Sequence, residues 1–155
     1  MWKPIAIATA VSGTLDILFA ILLSLLRGGD PANMLRFVAS GPFPQATDMG
    51  AEGAILGLVV HFSLMAVMAA ALMIVVRARP ELLRKPVLTG LGYGLITYAI
   101  LDLLIVPLRF PAAFPPKPMS IATQLFAHLV LVGLIFAFVA RRWMKSPASA
   151  SLRDA

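Results

Sequence analysis

Asp16, His61, Asp102 and His128 each fall within a different, otherwise apolar stretch of this 155-residue sequence. An ionisable side chain inside a hydrocarbon layer costs about 2.5 kcal/mol or more unless it is paired or hydrated. One such residue in each of four stretches therefore points to a function. Carboxylates and imidazoles exchange protons, and His does so near neutrality, so Asp–His pairs shielded from water suit binding or passing a proton, a cation or a small polar ligand. Two His and two Asp would equally satisfy a divalent metal such as Fe, Zn or Mn. His61 and His128 at matching depth also suit the axial positions of haem b. Against these stands a structural alternative, in which the same residues are interhelical hydrogen-bond partners worth about 0.6 kcal/mol on average.

The stretches that must position these residues run at about 5–26, 51–76, 87–108 and 121–140. At 1.5 Å per residue each is long enough to cross roughly 30 Å of hydrocarbon. In lipid the backbone must satisfy its own hydrogen bonds, and the runs lack the alternation a barrel needs. The expected fold class is all-α, a polytopic membrane protein built as an antiparallel bundle of four transmembrane helices over residues 1–145. Residues 146–155 are expected to form a disordered cytoplasmic tail. Composition agrees, with 60% hydrophobic residues, 13% charged residues and a mean hydropathy of +0.92, far from the balance of soluble domains.

Length leaves no room for an extramembrane enzyme domain, and no enzyme activity is expected. The absence of cysteine excludes disulfides, thiolate catalysis and sulfur-ligated clusters. No nucleophile–base arrangement stands out either, since Ser120 lies about 12 Å along the helix axis from His128. No cofactor is expected on the leading reading; haem b or a divalent metal belongs to the alternative. The first stretch is too long for a signal-peptide core and carries Asp16, so it is read as retained. Met65, Met68 and Met73 read as flexible core filler rather than copper ligands.

Counting residues places Asp16 about 15 Å, His61 about 13 to 15 Å, Asp102 about 9 Å and His128 about 11 to 13 Å from the outer ends of their helices. The four would share one layer in the outer half of the bilayer. Small and polar neighbours at three- and four-residue spacing mark the faces that carry them. These are Thr9, Ser12, Gly13 and Asp16 on the first helix and Gly53, Gly57 and His61 on the second. The third offers Gly90, Gly94, Tyr98 and Asp102, and the fourth Gln124 and His128. Such stripes let helix backbones approach, so the ionisable residues are expected to point inward together, supported by Gly57, Tyr98 and Gln124. Pro107 is expected to end or kink the third helix and free a carbonyl near the layer.

The formal net charge of +6 comes from basic residues at the ends of apolar runs, where topology rather than nucleic acid explains them. Nine of the thirteen Lys and Arg (Lys3, Arg77, Arg79, Arg84, Lys85, Arg141, Arg142, Lys145 and Arg153) would lie on one side. Both termini are therefore expected in the cytoplasm, with the lipid bilayer as the main partner and no nucleic-acid role. The outer connections, 27–50 and 110–118, are irregular and rich in Gly and Pro, with a short interfacial helix expected at Asn33–Ala39. Trp2 and Trp143 suit interface anchors at the inner end. Four helices make a very small transporter, so a transport role would favour a homo-oligomer.

The stretches Gly13-Thr-Leu-Asp16, Val38-Ala-Ser-Gly41, Gly57-Leu-Val-Val-His61-Phe62, Gly90-Leu-Gly-Tyr-Gly94, Val106-Pro107-Leu108 and His128-Leu, closed by Arg141-Arg142, resemble a widespread group of uncharacterised bacterial four-helix inner-membrane proteins. More distantly they resemble the YagU inner-membrane proteins. The resemblance covers Gly13 to Arg142. It implies a multi-pass protein of the bacterial inner (cytoplasmic) membrane, a link to acid tolerance and no catalytic activity. The sequence departs from the group's pattern before the second helix, where Asp48-Met49-Gly50 replaces a Gly-rich turn, and at Asp102, where the group often has Asn.

Overall fold

The structure, a computed structural model, describes residues 1–144. The expected tail at 146–155 lies outside the described residues. Four long apolar helices dominate: α1 (Trp2–Leu26), α3 (Ala51–Ala78), α4 (Pro86–Arg109) and α5 (Pro118–Trp143), all long and apolar enough to cross a membrane. A fifth, short helix, α2 (Pro31–Ser40), sits between α1 and α3. No strand occurs among the described residues. The chain is an all-α four-helix bundle and, by its apolar helices, a multi-pass integral membrane protein whose outer surface suits a lipid bilayer.

Local chemistry sets the ends of these elements. α1 stops where Gly28 turns into the left-handed region at φ 71° and the Gly29 N–H reaches back 2.8 Å to the Ser24 carbonyl, which satisfies an orphan carbonyl of the last turn. Asp30 then caps α2 by accepting a hydrogen bond from the Ala32 N–H at 2.9 Å, with Pro31 in the first helical position. Three-residue-per-turn segments at Pro44–Asp48, Pro80–Arg84 and Pro111–Ala113 make the remaining connections.

Two helices depart from α geometry. Ala99–Ile105 in α4 and Ala127–Leu134 in α5 wind as π-helix, with one more residue per hydrogen-bonded turn. Pro107 does not end its helix, which continues to Arg109. A proline removes the bond to the carbonyl four residues before it and crowds that carbonyl, and here the wide turns lie immediately upstream of it. Such π segments recur at functional sites.

Packing divides the bundle into two hairpins, α1 with α3 and α4 with α5, joined along a seam between α1 and α5, with α5 also meeting α3. The α4–α5 hairpin is tight because glycines face backbone. A Cβ on Gly94 would collide with the His128 carbonyl, and one on Gly133 with the Gly90 carbonyl. α4 reaches α3 through Tyr93, whose hydroxyl donates 2.6 Å to the Met68 carbonyl. The apolar core fills the half of the bundle that holds Trp2 and Trp143: Met65, Met68, Leu72, Met73, Val132 and Phe136 pack there. The three methionines are core residues, as their flexible side chains suit. Gly53 and Gly57 serve a different contact from that of α4, since Gly57 lets the backbone of Leu35 on α2 lie directly against α3.

Candidate functional site

The ionisable residues occupy the other half of the bundle, between the core and the outer connections. Asp16, His61 and His128 each lie ten residues from the loop end of their helix and Asp102 lies seven, which is about 15 Å and about 10 Å at helical rise. Asp16 and His61 stand level on antiparallel neighbours, Asp102 stands about 5 Å nearer its helix end than His128, and two Asp–His pairs form. In the first hairpin His61 Nδ1 lies 3.9 Å from Asp16 Oδ2, and the opposite ring nitrogen Nε2 lies 2.9 Å from the Gly13 carbonyl oxygen. In the second, His128 Nε2 lies 3.0 Å from Asp102 Oδ2, and Nδ1 lies 3.0 Å from the Thr97 hydroxyl. Both imidazoles are buried, at 8% and 9% exposure.

Asp16 lies where the two hairpins meet. It stands on the α1–α5 seam, flanked one turn to either side by the Ser12 hydroxyl, which donates 2.5 Å to the Leu131 carbonyl, and by Phe19, whose ring meets Phe126 at 5.2 Å. The four groups meet as two pairs rather than one cluster. Among the described residues no three His, Asp or Glu lie close enough to hold a metal ion together. All four imidazole nitrogens face a partner in the chain, so ligation of haem or metal would require a ring to leave one.

The supporting residues are placed differently from one another. Tyr98 is buried at 6% exposure and presents its ring edge-on to His128 with centroids 5.9 Å apart. Gly57 stands one turn before His61 and receives α2. Gln124 is exposed, whereas His128 is buried. The π segment begins at Ala127, between them, so the four-residue stripe rule ceases to hold there.

Thr97 is a further functional neighbour, three residues after Gly94 and therefore at stripe spacing from it; it and Asp102 reach the same imidazole. A hydroxyl three residues after Gly94 and five before an intramembrane Asp is the signal that would have found it. The Gly13 carbonyl was equally invisible, because backbone acceptors carry no sequence signature.

The outer end of the bundle is braced by cations. Arg109, at the end of α4, donates from Nε to the Gly41 carbonyl and from Nη2 to the Ser40 carbonyl, both at 2.8 Å, where a positive charge suits the C-terminus of α2. Arg36 donates to the Gly50 carbonyl at 3.3 Å and to Asn33. No protein-family profile, no curated protein and no solved structure matches this chain.

Proposed function

We propose that this protein is a non-enzymatic membrane protein that binds and passes protons through its two Asp–His pairs. The observation that carries the reading is the formation of both pairs in the same half of the bundle, with Asp16 on the seam between hairpins. Magnitudes argue against packing alone. Each intramembrane Asp costs about 2.5 to 3.5 kcal/mol near the bilayer centre, while an interhelical polar contact returns about 0.6 kcal/mol on average and about 1.7 at most. Apolar side chains would hold the bundle better, so two retained carboxylates serve a use other than adhesion.

The reading extends to a bacterial inner membrane with both termini in the cytoplasm, as the resemblance to four-helix inner-membrane proteins and distantly to YagU suggests. Lys3, Arg77, Arg79, Arg84, Lys85, Arg141 and Arg142 are all exposed at the end of the bundle that holds Trp2 and Trp143. At the opposite end Arg36 and Arg109 bond backbone carbonyls. The retained-cation asymmetry supports the cytoplasmic assignment of the termini. A small bundle of this kind would work as a homo-oligomer.

The alternative, a haem- or metal-binding redox subunit, is separable by colour and metal content. A Soret band lost in His61→Ala and His128→Ala would select haem, and stoichiometric bound metal would select the metal site. The proton reading is tested in liposomes carrying a pH-sensitive dye. Asp16→Asn should abolish flux while Ser63→Ala, on the exposed face of α3, retains it. Equal flux in wild type and Asp16→Asn would overturn the reading and leave a scaffold role.

A further inference from the structure

The partners of the outward-facing ring nitrogens decide where hydrogens sit. A backbone carbonyl oxygen only accepts, so His61 Nε2, 2.9 Å from the Gly13 carbonyl, must carry a hydrogen and donate it. The Nδ1 nitrogen is then the one that faces Asp16. For His128 the same logic passes through a hydroxyl. Thr97 Oγ1 lies 2.9 Å from the Gly94 carbonyl, and two oxygens at that separation need a hydrogen between them. The threonine has only one, so its oxygen is left to accept from His128 Nδ1 at 3.0 Å. The Nε2 nitrogen is therefore the one that faces Asp102.

We infer that the two histidines are held in opposite tautomeric frames, with the fixed hydrogen on Nε2 of His61 and on Nδ1 of His128, and that Thr97 is the positioning residue that sets the second frame. Each pair then has a single mobile proton, shared directly across 3.0 Å by His128 and Asp102 and passed between His61 and Asp16, 3.9 Å apart, only when the two close to hydrogen-bond distance. It sits either on the inward-facing nitrogen, as imidazolium beside carboxylate, or on the carboxyl oxygen, as neutral imidazole beside carboxylic acid. The N–H bond breaks as the O–H bond forms, and the pair is electrically neutral in both states. In His128 the mobile site is Nε2, and in His61 it is Nδ1. Fixing the hydrogen on the other nitrogen makes the inward-facing nitrogen the one that gains and loses a proton, so that in the neutral ring its lone pair faces the carboxyl O–H.

The inference deepens the proton reading and rests on it for its use, but hydrogen positions can be read with or without flux. The chain has two histidines, so the full-length protein labelled with ¹⁵N-histidine, in lipid nanodiscs, gives two ring systems, assigned with His61→Gln and His128→Gln. During a pH titration the nitrogen that loses its hydrogen should be Nδ1 in His61 and Nε2 in His128. Loss from the same nitrogen type in both rings overturns the inference. Thr97→Val keeps the shape and removes the acceptor; the His128 Nδ1–H signal should shift and exchange faster, with His61 unmoved and Thr97→Ser restoring the wild-type pattern. Superimposable His128 spectra in Thr97→Val and wild type overturn it whatever the titration gives. Absence of flux in liposomes with these spectra intact would strike the proton-passing reading alone.

Discussion

Asp16 and Asp102 sit at unequal distances from their imidazoles, 3.9 Å against 3.0 Å. Only the second is a hydrogen bond, since contacts beyond about 3.5 Å are too long for one. The shorter pair can share its proton directly, and the longer one must close before a proton can cross. Removing both members of that pair should strengthen the fold. Asp16→Leu with His61→Leu is expected to raise stability by about 1 kcal/mol in a denaturant titration in micelles, because the cost of the carboxylate exceeds what its contact returns. A loss of stability in the double variant would mean that the pair is there to hold helices. Thr97→Val should cost only about 0.6 kcal/mol in the same assay, so a large effect on the His128 spectrum would not be a symptom of unfolding.

Among the elements, α4 gives the sharpest contrast, since glycines two residues apart on it have opposite surroundings. A Cβ at Gly92 meets nothing within 4 Å, whereas one at Gly94 would strike the His128 carbonyl. Gly92→Ala should therefore stabilise the helix by up to about 1 kcal/mol through propensity. Gly94→Ala should destabilise by about 1 to 3 kcal/mol through overpacking, and it should also disturb Thr97 and His128, because the two backbones can no longer approach. Unfolding curves of the two variants, compared with wild type, check the signs. α2 offers a second test. Its C-terminal carbonyls are bonded by Arg109, so Arg109→Ala should speed amide hydrogen exchange across Pro31–Ser40 while exchange in the Met65–Val76 core of α3 stays slow. Equal exchange across Pro31–Ser40 in Arg109→Ala and wild type would show that the guanidinium does not hold α2 down.

At the scale of the molecule the bundle is polarised along its axis, with an apolar core at the end that holds the termini and the titratable groups toward the end with the irregular connections. This arrangement puts the titratable groups nearer one end of the bundle than the other and makes orientation matter. The chain lacks cysteine, so single introduced thiols report sidedness without background. In intact cells an impermeant maleimide should label Gln45→Cys, exposed in the connection before α3, and leave Lys85→Cys, exposed in the link before α4, unlabelled until the membrane is broken. The reverse pattern would invert the topology.

The sequence by itself determined the class of fold, because crossing a bilayer leaves the backbone few choices and demands about twenty apolar residues per helix. The four spans at about 5–26, 51–76, 87–108 and 121–140 could be read from hydropathy and match helices at Trp2–Leu26, Ala51–Ala78, Pro86–Arg109 and Pro118–Trp143. The depths of Asp16, His61, Asp102 and His128 were legible too, since axial position follows from counting residues. Only the tertiary structure decided which helices pair, that Gly57 receives α2, that Gln124 is exposed and that Thr97 reaches His128. The reason is that a stripe gives a face but not the neighbour that will meet it, and beside the site the π turns in α4 and α5 also reset the azimuth that an α-helical stripe would fix.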